Sequence, residues 1–156
     1  MKIKLLVVAK TSEAYLRTGI DYYCQKLPHY FPFEYIEIPA LKQTKNITFD
    51  QQKVKEGELI LSKIQLNDEV VLLDESGTTM TSLHFSHFLQ RHMQTAKQMV
   101  FVIGGPYGFS PAVYARKNFM LSLSSMTFSH QMVRLIFVEQ LYRAASILKN
   151  EPYHHE

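Results

Sequence analysis

The 156-residue chain carries 17 Lys and Arg against 14 Asp and Glu, a formal net charge of +3, and is 46% hydrophobic and 20% charged. These are ordinary globular proportions, and the length fits one α/β domain over residues 1–156. No apolar run reaches the roughly 18 residues of a membrane span, and the single Cys24 excludes an internal disulfide framework and a multi-cysteine zinc site, so a cytoplasmic protein is expected. A pI near 8.9 permits an RNA partner but lacks the dense basic patch that holds naked RNA by charge alone.

The opening MKIKLLVVAK resembles the start of a signal peptide. Lys4 interrupts its apolar run and no small-residue cleavage site follows, so Lys2 to Ala9 reads as a strand. Ser12 is placed to cap a helix reaching about Leu27, which Pro28 ends. Phe33 to Ile38 alternates as a second strand, and residues 40–48 read as a mobile loop. A helix is expected from about Phe49 to Ile64, burying Val54, Leu59, Ile60, Leu61 and Ile64. Glu69 to Asp74 is a strand, with Glu75-Ser76-Gly77 as its turn, and Thr81 or Ser82 starts a helix to about Met93.

Met99 to Ile103 is the next strand, opening into Gly104-Gly105-Pro106-Tyr107-Gly108. Ser110-Pro111 fits an N-cap followed by Pro at the first helical position, for a short helix to about Lys117. Phe119 to Leu123 is the last strand, Ser124 to Phe128 a loop, and His130 to Lys149 the final helix. Alternating strands and helices imply a mainly parallel sheet with helices on both faces. Ligands of such sheets sit outside the carboxyl ends of the strands. That selects the loops after Leu73, Ile103 and Leu123.

Each candidate motif has a plain reading beside the functional one. The glycine turn either relieves backbone strain or lets a ligand approach the main chain. It has neither dinucleotide-binding nor P-loop spacing, which disfavours a phosphate cradle. The small polar run after Leu121 suits a neutral purine ring. Glu139 and Arg143 stand four apart, the spacing of a helix-surface ion pair. Arg134, on an otherwise apolar segment, needs an anionic partner if buried. Tyr153-His154-His155-Glu156 is either a frayed end or a functional tail, and no other cluster with ligand spacing supports a metal there.

Taken together, Leu73-Asp74 with Ser76-Gly77, FVIGGPYG, LSxSxMTFxHQMxRxxxxEQxYRA and the closing PYHHE resemble the RlmH (YbeA) family of SPOUT methyltransferases over essentially the whole chain. The resemblance implies an α/β knot, with a C-terminal trefoil knot over about residues 69–156, a rare topology. It implies a homodimer that uses S-adenosylmethionine, without a metal, to methylate N3 of a pseudouridine in helix 69 of 23S ribosomal RNA in assembled ribosomes. Carried over by position, the cofactor site falls on Leu73, Gly104, Gly105, Leu123, Ser124, Ser125, Met126, Thr127 and Phe128. His130, Arg134 and Glu139 fall on the substrate side.

Methylating an imide nitrogen releases a proton, so a base or hydrogen-bond network must lie within reach. His154 is the candidate base, with Tyr153 placing it or stacking on the nucleobase and Arg143 stabilising negative charge on the flanking carbonyls. Two alternatives stay open: a methyltransferase of the same fold acting on another RNA, and a non-catalytic ribosome-binding module.

Overall fold

In the computed structural model, which describes residues 1–42 and 44–155, five parallel strands form one sheet in the order β2-β1-β4-β3-β5. Gln43 of the expected loop and Glu156 of the tail lie outside the described residues. The strands are β1 (Lys2–Val8), β2 (Phe33–Ile38), β3 (Glu69–Thr79), β4 (Gln98–Ile103) and β5 (Phe119–Ser122). Met99 to Ile103 and Val70 to Leu73 are buried throughout, because both faces of the sheet are covered.

The helices are α1 (Ala14–Cys24), α2 (Phe49–Ser62), α3 (Ser82–Thr95), α4 (Pro111–Arg116) and α5 (Met132–Leu148). On one face Ile3, Leu5, Val7, Val71 and Phe101 pack against Ile20 of α1, Phe85 and Phe88 of α3, and Phe137 and Leu141 of α5. On the other, Leu6, Val8, Leu72, Val100 and Val102 meet Ile60 of α2 and Val113 of α4. Among the described residues no helix is long and apolar enough to cross a membrane.

Local chemistry explains most boundaries. Thr48 and Gln51 form a reciprocal capping box, with Thr48 Oγ1 accepting from Gln51 N at 3.1 Å and Gln51 Oε1 from Thr48 N at 2.9 Å. Ser110 caps α4 as expected, accepting from Val113 N, with Pro111 next. Thr81 rather than Ser82 caps α3, accepting from His84 N.

Four expectations fail. Ser12 does not cap α1: Glu13 holds that position without a side-chain bond, and the Ser12 N–H goes instead to Gln131 Oε1 at 3.0 Å. That helix ends at Cys24, and Leu27–His29 forms a separate 3-10 turn. In α2 the inward positions are Glu56, Gly57 and Ile60, leaving Val54 and Leu59 exposed. Gly57 abuts Ser110, and only a residue without Cβ allows that approach. Finally, Glu75-Ser76-Gly77 is no turn. The strand continues through an irregularity between Leu73 and Thr78 and keeps pairing with β5, with a Cβ on Gly77 only 2.7 Å from the Met120 backbone.

Candidate active site

The irregular stretch of β3 at Leu73–Glu75 and the carboxyl ends of β4 and β5 open into a cleft of about 210 Å³. The loops selected after Ile103 and Leu123 contribute to it, whereas Leu73 does so from within β3, where the selected loop is strand. Of the nine residues carried over for the cofactor, Leu73, Gly104, Gly105, Leu123, Ser124, Met126, Thr127 and Phe128 line the cleft, as does His130, while Ser125 does not. The loop after β5 is braced by its own small side chains. Ser122 Oγ donates to Ser124 O at 2.9 Å, and Ser124 Oγ accepts from Met126 N at 2.9 Å. Met126 is 77% exposed at the mouth.

The glycine turn works differently from a simple open approach. A Cβ on Gly104 would come within 3.0 Å of the Phe109 ring, and one on Gly105 within 2.9 Å of Glu56 Oε1. The missing side chains therefore make room for Phe109 and Glu56, which build the wall behind the cleft. Gly108 takes φ +83, a conformation that favours glycine. Glu56 is buried, burial pushes its carboxyl pKa up, and its Oε1 has no hydrogen-bond partner among the described residues.

Sequence reasoning missed Asp74, Glu75 and Phe109, which also line the cleft. Their adjacency to the chosen strand ends is the signal that could have found them. Asp74 Oδ2 accepts from Tyr114 Oη at 2.5 Å, and Asp74 Oδ1 from Ser76 N and Oγ. Burial raises the Asp74 pKa, but these bonds outweigh it and hold the carboxyl below its ordinary range. Burial and Asp74 in turn push the Tyr114 phenol up to about 12. Glu75 Oε2 accepts from Thr127 Oγ1 at 2.8 Å, tying β3 to the loop after β5. Two carboxylates in the lining suit a cationic ligand and oppose a phosphate. Burial first, then the nearby Arg134, lowers the His130 pKa, so this imidazole is neutral at pH 7.

Arg134 is fully buried. Its Nη2 donates to Val8 O at 2.6 Å, its Nη1 to Ala9 O at 2.9 Å and to Thr11 Oγ1 at 3.0 Å, and its Nε to His130 O at 3.1 Å. Glu37 supplies the expected anion, but at 3.9 Å. Backbone carbonyls are its main partners, so the side chain joins α5 to the end of β1.

The remaining predicted residues form a second cluster. Arg143 Nη2 donates to Glu139 Oε1 at 2.5 Å, and Tyr153 Oη donates to the same oxygen at 3.0 Å. Arg143 also lies 3.2 Å from His154 Nδ1 and 4.8 Å from the centre of the Tyr153 ring. Tyr153 packs edge-on against Tyr142 and lies 3.3 Å from the Tyr23 hydroxyl. Burial, then the bonds to Tyr23 and Glu139, push the Tyr153 phenol up, so it stays protonated and is no base. The chain end is thus anchored rather than frayed through His154. From Val133, which lines the cleft, to Arg143 is ten residues of α5, about 15 Å along the helix axis. One chain therefore holds the cleft and the tail cluster apart.

Among the described residues no group of three or more His, Cys, Asp or Glu could hold a metal ion. The sequence profile of the family described as "Predicted SPOUT methyltransferase" matches residues 1–154. The chain is 58% identical over 156 residues to the protein named ribosomal RNA large subunit methyltransferase H of Christiangramia forsetii, covering 99% of each chain. It is 56% identical to the protein of that name from Parabacteroides distasonis and 54% identical to that of Flavobacterium johnsoniae, each over 157 residues and 100% of both chains.

Proposed function

Because this chain belongs to the SPOUT methyltransferase family, we propose that it is an S-adenosylmethionine-dependent methyltransferase of large-subunit ribosomal RNA, acting on N3 of a pseudouridine in helix 69 of the assembled ribosome. The observation that carries the reading is the acidic, glycine-walled cleft at the irregular stretch of β3 and the ends of β4 and β5, in a chain more than half identical to relatives named for ribosomal RNA methylation. Asp74 and Glu75 suit the positive sulfonium and ammonium of the methyl donor, and the uncharged Leu123–Phe128 wall suits its adenine. The donor supplies an activated methyl group, so the chain's own task is to orient the reactants and remove one proton.

For that proton His154 is the base: Arg143, which donates to its Nδ1, must release that nitrogen for the ring to take the proton, and can then stabilise negative charge on the nucleobase carbonyls, while Tyr153 holds Arg143 through Glu139. The separation of about 15 Å along α5 favours a tail that serves the cleft of a second copy. We infer a functional homodimer in which one subunit binds the cofactor and its partner brings the tail. The α/β knot over about residues 69–156 belongs to the same proposal. On the substrate side, His130 lines the cleft and the buried Arg134 holds the His130 carbonyl through Nε.

Incubation with S-adenosylmethionine and ribosomes lacking the modification, followed by nucleoside mass spectrometry of the large-subunit RNA, tests this reading. The expected product is a 3-methylpseudouridine in helix 69. A methyl group at another nucleotide would reassign the substrate, and no transfer despite cofactor binding would leave a ribosome-binding module.

A further inference from the structure

Phe49, the first residue of α2, is 63% exposed, and Tyr107, in the turn after β4, is 40% exposed. Their rings stack face to face, with centroids 4.0 Å apart and planes 18° from parallel. Neither ring belongs to the two apolar cores, so the pair packs on itself at the surface.

Its position is specific. Gly104, Gly105, Pro106 and Gly108 of the same turn line the cleft, whereas Tyr107 does not, so its ring stands on the outer side of the cleft wall. The chain around Phe49 is basic in sequence. Residues 40–55 hold Lys42, Lys45, Lys53 and Lys55 against the lone acid Asp50 before Glu56, an excess equal to the formal net charge of the whole chain. Lys53 follows Phe49 by one helical turn and so shares its side of α2, where its ammonium pairs with Asp50 at 3.4 Å, leaving Lys42, Lys45 and Lys55 as the excess.

An exposed stacked pair beside a reaction cleft, with one ring in a lysine-rich stretch, fits an unpaired nucleobase. Proteins read single-stranded RNA by stacking splayed bases on aromatic rings while cations meet the phosphates. We propose that the Phe49–Tyr107 stack is a platform on which a base of the RNA substrate, flanking the target nucleotide, continues the stack. The proposal rests on the RNA reading above and adds a contact surface to it.

The test uses the full chain and compares Phe49→Ala, Tyr107→Ala and Phe49→Trp. Thr48 keeps its cap in each Phe49 variant, and thermal melting confirms folding. Loss of one stacked base predicts KM for unmodified ribosomes raised about tenfold in both Ala variants, with S-adenosylmethionine affinity within about twofold of the parent. Phe49→Trp should restore KM, which a merely structural role would not predict. Unchanged KM in the folded Ala variants overturns the platform, and so does a parallel loss of cofactor affinity. If the parent protein methylates no ribosome, the functional reading fails separately. Ultraviolet crosslinking to ribosomes then decides: RNA joined to a peptide containing Phe49 or Tyr107 supports the platform, and crosslinks only elsewhere or only to ribosomal protein overturn it.

Discussion

Arg134 Nη1 donates to Ala9 O at 2.9 Å, although 125 residues separate the two. Ala9 has φ +71, a left-handed conformation that costs a residue with a Cβ roughly 1–2 kcal/mol. The arginine holds that turn by binding the two carbonyls that flank the Ala9 α-carbon and the Thr11 hydroxyl beyond it. Replacement by Ala would leave those buried carbonyls unpaired. Arg134→Ala should lose about 3–5 kcal/mol, measured as a lower denaturant midpoint. Lys should recover only part of this, since one ammonium cannot fork across the same acceptors.

Glu56 gives a pH signature of the opposite sign to most carboxylates. Its folded pKa is raised by burial, so the folded state favours the protonated form. The stability linked to it is full below the unfolded carboxylate pKa and is lost as pH rises through the folded value. Glu56→Gln should therefore melt higher than the parent at pH 8, with the difference shrinking towards pH 4. Equal melting temperatures across that range would show that burial does not perturb this carboxyl.

Asp74 runs the other way. Its folded pKa is lowered, so its contribution is present above the unfolded value and is lost as pH falls through the folded one. Tyr114→Phe removes the 2.5 Å bond and should cost about 1–3 kcal/mol at pH 7. The cost should diminish below about pH 4, where the unfolded carboxyl is already protonated. Chemical denaturation at the two pH values checks this.

The tail cluster predicts complementation. Deleting residues 153–156 should leave cofactor affinity within about twofold while methyl transfer falls steeply, and His154→Ala should reproduce most of the loss. Mixing the truncated chain with a chain disabled in the cleft should restore transfer, because the mixed dimer pairs one intact cleft with one intact tail. Mixtures as inactive as their parents would place the two halves of the reaction in the same subunit.

At Gly104 a simple expectation gives way. A branched side chain there meets the Phe109 ring at 3.0 Å before it meets any ligand. Gly104→Val should cost about 1–3 kcal/mol through overpacking as well as weakening S-adenosylmethionine. Phe109→Leu in the same chain should return part of both. Calorimetry that shows affinity unimproved by the second substitution would put the Val side chain in the cofactor's own space.

How far the sequence could be read depended on whether one short stretch held the whole cause. The cap at Ser110 with Pro111, the buried strand Val70–Leu73 and the loops that follow Ile103 and Ser122 were legible, because local composition determines them. The inward face of α2 was not: Gly57 lets Ser110 approach, which turns Val54 and Leu59 outward, and no periodicity in α2 reports a contact with α4. Nor was the continuation of β3 through Gly77, which depends on the β5 backbone. The role proposed for Tyr107 rests on the fold setting Phe49 beside it, which no local sequence pattern reports.

The strand order also bears on how the chain comes off the ribosome. β3 is synthesised before both of its neighbours, β4 and β5, and β1 keeps one open side until β4 is made. From Thr79 to Ile103, translation takes roughly 1–5 s, during which Val70 to Leu73 have no partner strand. The nascent chain therefore passes through a window in which apolar edges are bare, and the fold closes only when α5 emerges and Arg134 reaches Val8 and Ala9. Delaying the emergence of β4 would lengthen that exposure, and delaying α5 once β4 has paired would not.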